Sequence, residues 1–138
     1  MWGEQACYDG LGRGDVLSDT TTMVKPLIIC DIDGTLVSER TGKWHPIIVP
    51  MLKALHKHID VLILTSRRSE RSGDTRLLLA AMGLEYVICM RSTDDSPFEY
   101  KKRIIDDLME KHEVVLLIDD DREILKYGVS RGLPVILP

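Results

Sequence analysis

The sequence predicts a doubly wound α/β fold on a five-stranded parallel sheet, and three observations carry that prediction. From Val24 onward, five apolar β-type runs alternate with four helical stretches, as repeated βαβ units do. Each apolar run is nearly continuous rather than alternating, as expected of strands covered on both faces. A chain of 138 residues, 44% hydrophobic and 29% charged, also suits one globular domain with a buried core.

The elements follow in chain order. Strands are expected at 26–30, 61–64, 86–90, 114–118 and 134–137, and helices at 46–58, 74–82, 97–111 and 122–131. The third helix has the clearest start signal: Ser96 as N-cap, Pro97 at the first helical position and Glu99 at capping-box spacing. Gly83 and Gly132 suit helix C-termini. The first 22 residues, "MWGEQACYDGLGRGDVLSDTTT", hold four glycines, few aliphatics and no sustained period. Residues 1–22 are therefore expected to be a flexible leader, and 23–138 the folded domain. Gly10, Gly12 and Gly14 do not form a phosphate loop, because no strand precedes them and no Gly-Lys-Ser/Thr follows.

Composition narrows the function classes. No apolar run approaches the roughly 20 residues of a membrane span, so no membrane partner is expected. The net charge of −4 argues against wholesale nucleic-acid binding while leaving room for a local basic patch. Cys7, Cys30 and Cys89 share no metal or disulfide spacing. Cys30 and Cys89 sit inside apolar runs and read as buried reduced thiols of a cytoplasmic protein. His45, His56, His58 and His112 lack ligand spacing and read as surface or cap residues.

In a doubly wound sheet, ligands bind beyond the carboxyl ends of the strands, where strand order reverses. There "LIICDIDGTLV" runs four apolar residues into Asp31 and Asp33, "VLILTSR" delivers Thr65, Ser66 and Arg67, and "VVLLIDDD" delivers Asp119, Asp120 and Asp121. Carboxylates at the end of a buried strand are costly unless a cation, substrate or water compensates them. Asp120 has a second reading as a helix cap, since it stands at capping-box spacing from Glu123. Trp44 reads equally as a stacking surface or as partial core.

These residues resemble the haloacid dehalogenase (HAD) superfamily, chiefly its aspartate-based phosphatases. The resemblance covers 24–138: "DIDGT" is similar to the first motif, Thr65 to the second, Lys101 to the third and "IDD" at 118–120 to the fourth. Lys102 is the alternative register for the third. The resemblance implies that Asp31 is the nucleophile, forming an aspartyl-phosphate, and Asp33 the general acid and base. It gives Thr65 and Lys101 the task of stabilising the phosphoryl group, with Gly34 turning backbone amides towards it. It also implies Mg²⁺, held by Asp31, Asp33 through its carbonyl, Asp119 and Asp120.

The superfamily often inserts a cap domain, but "LVSERTGKWHPI" leaves room only for a hairpin flap, and 66–91 only for one helix and one strand. No cap is expected, so the substrate has a large body or a second subunit covers the site. The segments "LTSRRSERSGDTR", "RSTDDSPFEYKKRIIDDL" and "LLIDDDREILKYGVSRGLPVI" are also similar to the phosphatase domain of bacteriophage polynucleotide kinase–phosphatases. That similarity implies substrate contacts from Ser66, Arg67, Arg68 and Arg71, with Arg76 and Arg91 completing a basic ring. It further implies a DNA or RNA 3′-phosphate as substrate and a separate kinase or ligase partner. Asp121 stands where that family usually has arginine.

Overall fold

The structure, a computed structural model, describes residues 25–138. The expected leader, Cys7 within it, and residues 23 and 24 lie outside the described residues. Five strands, β1 (Pro26–Cys30), β2 (Asp60–Arg68), β3 (Val87–Arg91), β4 (Glu113–Ile118) and β5 (Val135–Ile136), form one sheet of order β3-β2-β1-β4-β5. Every pairing is parallel. The helices are α1 (Ile48–Leu55), α2 (Ser72–Met82), α3 (Pro97–Lys111) and α4 (Arg122–Ser130). The chain winds outward from β1 to β3, then crosses back to place β4 on the other side of β1. The switch point is therefore between β1 and β4.

Alternate residues of each strand face opposite layers, which is why the strands read as unbroken apolar runs. Leu27 and Ile29 of β1, with Leu62 and Leu64 of β2, pack under Tyr100, Ile104, Ile105 and Leu108 of α3 and Ile124 and Leu125 of α4. Ile28 and Cys30, with Val61 and Ile63, pack under Ile48, Val49 and Leu52 of α1 and Leu79 and Met82 of α2. Two helices on each face close a three-layer sandwich.

β1 and α3 have the predicted bounds, and Ser96 Oγ accepts the Glu99 N–H at 3.2 Å as the cap of α3. Gly83 and Gly132 take positive φ just beyond their helices. The other elements differ: α2, β3, β4 and α4 by one or two residues at an end, and three more for identifiable physical reasons. β2 runs on to Arg68, because its backbone stays extended past the apolar residues that mark the strand in sequence; its pairing with β3 shifts there and resumes at Arg68 and Arg91. α1 is shorter at both ends: His45 Nδ1 accepts from the Ile47 and Ile48 N–H groups, fixing the start, as its cap reading expected. β5 keeps only two residues, since Pro134 has no N–H to add to the ladder. Cys30 is a free buried thiol, whereas Cys89 is buried but disulfide-bonded, so the reduced-thiol expectation fails there.

Between β1 and α1 lies only a loop with a short flap, where Val37 bridges both Asp33 and Trp44. Between β2 and β3 there is one 3₁₀ turn and α2. Among the described residues there is no cap domain. Nor is any helix among them long and apolar enough to cross a membrane.

Candidate active site

β1 ends at Cys30, and the next residue, Asp31, donates its N–H to the Ile118 carbonyl at 3.0 Å, tying the ends of β1 and β4 together at the switch point. The chain then turns tightly: the N–H groups of Thr35, Leu36 and Val37 all point to the Ile32 carbonyl. Gly34 sits in that turn at φ +81°, and a Cβ there would collide with the Asp120 carboxylate. The turn thus demands glycine twice over, for its dihedral and for the acid packed on it.

Asp31, Asp119 and Lys101 are all nearly inaccessible to solvent. Lys101 reaches in from the second turn of α3, and its Nζ lies 2.9 Å from Asp31 Oδ1 and 2.7 Å from Asp119 Oδ2. Lys102 instead lies over the Tyr127 ring, 5.4 Å from its centroid, so the fold brings Lys101 and not Lys102 to the two acids. Thr35 Oγ1 donates to Asp31 Oδ2 at 3.2 Å, and the Asp121 N–H to Asp119 Oδ1 at 2.8 Å. Asp120 brings a carboxylate oxygen within 4.8 Å of one from Asp31. The cap of α4 is Asp121, which accepts the Glu123 N–H at 2.9 Å; the Asp120 cap reading is thereby corrected.

These acids are electrostatically strained. Burial pushes the Asp31 carboxyl up to about 6, against the pull of Lys101. Burial likewise raises Asp119 and Asp120. Lys101 is itself opposed by burial, yet Asp31 and Asp119 hold its pKa above the ordinary value. One ammonium cannot neutralise three carboxylates. Asp31, Asp119 and Asp120 each offer an oxygen, all within 4.8 Å of one another. A set of hard oxygen donors with surplus negative charge fits a divalent cation such as Mg²⁺.

Asp33 lies apart from that group. Its carboxylate accepts two bonds of 2.8 Å from Arg67, Nε to Oδ2 and NH2 to Oδ1, which hold it below the usual carboxylate range. Thr65, fully buried within β2 just past its apolar run, accepts the Arg67 N–H at 3.1 Å. Arg71 is exposed and acts on Asp33 through its charge. Arg68 donates to the Thr93 carbonyl, and the Ser66 carbonyl accepts from Arg91.

The expected basic ring is only partly assembled. Arg91 is committed to two backbone carbonyls, those of Ser66 and Asp95. Arg76 lies with Glu85 and Tyr86, ahead of β3 and so at the opposite end of the sheet. Two buried hydroxyls escaped the sequence reading. Thr35 stands within "DIDGT" and had a signal; Thr75, which accepts from Arg67 NH1 at 3.1 Å, had none.

No protein-family model matches the chain, and no curated protein matches it. Solved structures do. A chain of the Pnkp1/Rnl/Hen1 RNA repair complex aligns at 23% identity with a TM-score of 0.69, covering 94% of this chain and 46% of that one. A second structure of the Pnkp1/Rnl/Hen1 complex aligns at 22% identity and TM-score 0.72, covering 93% and 48%. The chain thus spans about half the length of those neighbours. The HAD domain of the effector protein Lem4 from Legionella pneumophila aligns at 14% identity and TM-score 0.52, covering 81% and 84%. The chain therefore has the fold of a haloacid dehalogenase core, with its acid cluster at the sheet's switch point.

Proposed function

We propose that this protein is a Mg²⁺-dependent phosphomonoesterase that removes 3′-phosphates from polynucleotide ends through an aspartyl-phosphate. The observation that carries the reading is the convergence of Asp31, Asp119 and Asp120 with the buried Lys101, from separate elements, on one point.

In the first half-reaction an Asp31 oxygen bonds to phosphorus. The ester P–O bond breaks, and the departing oxygen takes the proton of Asp33 to leave as an alcohol. In the second, water adds to phosphorus and gives its proton to Asp33, while the Asp31–phosphorus bond breaks and phosphate leaves. Lys101 and the Thr65 hydroxyl balance charge on the phosphoryl oxygens. Asp31, Asp119 and Asp120, with the Asp33 carbonyl, would hold Mg²⁺, which when bound offsets repulsion between an anionic nucleophile and an anionic phosphate.

The substrate class is supported by the capless rim, which admits a large body, and by the cations Arg68 and Arg71 beside it. The RNA repair complexes in which structural neighbours occur favour the same context. A cytoplasmic repair role beside a separate kinase or ligase completes this reading.

The test offers 3′- and 5′-phosphorylated RNA and DNA oligonucleotides, 3′-nucleotides and phosphopeptides with and without Mg²⁺, and repeats the panel with Asp31→Asn. Release of phosphate from 3′ ends alone, lost in Asp31→Asn and without Mg²⁺, is expected. Full activity in Asp31→Asn would overturn the nucleophile assignment; preference for a mononucleotide or phosphopeptide would overturn the substrate class.

A further inference from the structure

Arg67 makes three side-chain hydrogen bonds from one guanidinium. Nε and NH2 grip both oxygens of Asp33, each at 2.8 Å, and NH1 donates to Thr75 Oγ1 at 3.1 Å. Thr75 lies in the first turn of α2 and is 0% exposed. A buried hydroxyl on a helix face otherwise given to Leu79 and Met82 is costly unless it is hydrogen-bonded. Two parallel bonds alone leave the guanidinium–carboxylate pair free to swing as a unit about the Asp33 side chain. The third bond ties that unit to a packed helix.

We propose that Thr75 and Arg67 are positioning residues for Asp33: Thr75 anchors the guanidinium, and the guanidinium fixes the plane of the carboxyl group that protonates the leaving oxygen. This rests on the reading of Asp33 as general acid. An ionised carboxylate offers about four lone-pair sites, and the clamp occupies two, so oxygen lone pairs stay open towards the substrate. Arg67 is then held to Asp33 and contributes orientation rather than phosphate binding. General acid catalysis depends on such placement, because the donor must lie within hydrogen-bond reach of the atom it protonates.

Leaving-group dependence separates this role from a structural one. A sugar hydroxyl is a poor leaving group and needs the proton, whereas p-nitrophenolate leaves without it. The constant kcat/KM reports only the steps up to formation of the aspartyl-phosphate, before Asp33 acts as base on water. We compare kcat/KM for p-nitrophenyl phosphate with that for the best alkyl phosphate of the panel above, in wild type, Thr75→Val and Thr75→Ser. Thr75→Val should lower the alkyl phosphate value about tenfold, mostly in kcat, and leave the p-nitrophenyl phosphate value within about twofold. Thr75→Ser, which keeps the hydroxyl, should restore it. The ratio of the two values does not depend on how much protein is folded, so a destabilised variant still gives an answer. Equal losses on both substrates, or no loss on either, overturn the assignment while the phosphatase reading stands. A wild type inert towards both overturns that reading and the assignment with it.

Discussion

Gly34 shows how tightly the residues of the site constrain one another. Its φ of +81° is unfavourable for any L-residue, and an added methyl would meet the Asp120 carboxylate. Gly34→Ala should lower stability by about 1–3 kcal/mol in urea unfolding, and an unchanged midpoint would show that Asp120 simply moves aside. The place of that glycine was legible in sequence, as were those of Asp31, Thr65 and Asp119, because the carboxyl end of each apolar run is marked by a change to polar residues. Thr75 was not legible. A threonine in a helical pattern carries no sign of a partner eight positions away, and the bond to Arg67 exists only because β2 and α2 fold back on each other. The arginines were legible as charges but not as contacts: Arg91 grips carbonyls and Arg67 an acid, as chain geometry decides.

At the scale of elements, α3 matters most, since its second turn delivers Lys101 between two strand ends. Its start is set locally by the Ser96 cap and by Pro97. Removing the cap hydroxyl in Ser96→Ala should lower stability by about 1 kcal/mol; urea unfolding indistinguishable from wild type would mean that the helix start is held by packing instead. Such local signals explain why α3 and β1 have the predicted bounds. β2 outran its prediction because extended backbone beyond Leu64 is dictated by neighbours, not by the hydrophobicity of Thr65, Ser66 and Arg67. The Asp120 cap was misplaced by one residue for a similar reason. Asp119, Asp120 and Asp121 are alike as sequence, and only the fold gives Asp121 the helix start and Asp120 a place against Gly34.

For the molecule as a whole, the acid cluster links stability to pH and, on the function proposed above, to metal. The Asp31 carboxyl is raised from 3.8 to about 6 by burial, so between those values the folded chain holds a proton that the unfolded chain has lost. Its contribution to stability therefore falls as pH rises through that window and is most unfavourable above it. A divalent cation needs the ionised form. Mg²⁺ should accordingly raise the unfolding temperature more above pH ~7 than below pH ~5. Thermal unfolding with Mg²⁺ and with chelator at both pH values checks this, and equal shifts would argue against the cluster as the metal site. What the sequence determined by itself was the sandwich and the rim: continuous apolar strands can only be buried on both faces, and parallel connections send every strand's carboxyl end to the same side. What the tertiary structure decided was which groups on that rim touch. Bonds such as Lys101 to Asp31 and Arg67 to Asp33 span 70 and 34 residues of chain, and nothing local to either partner encodes them.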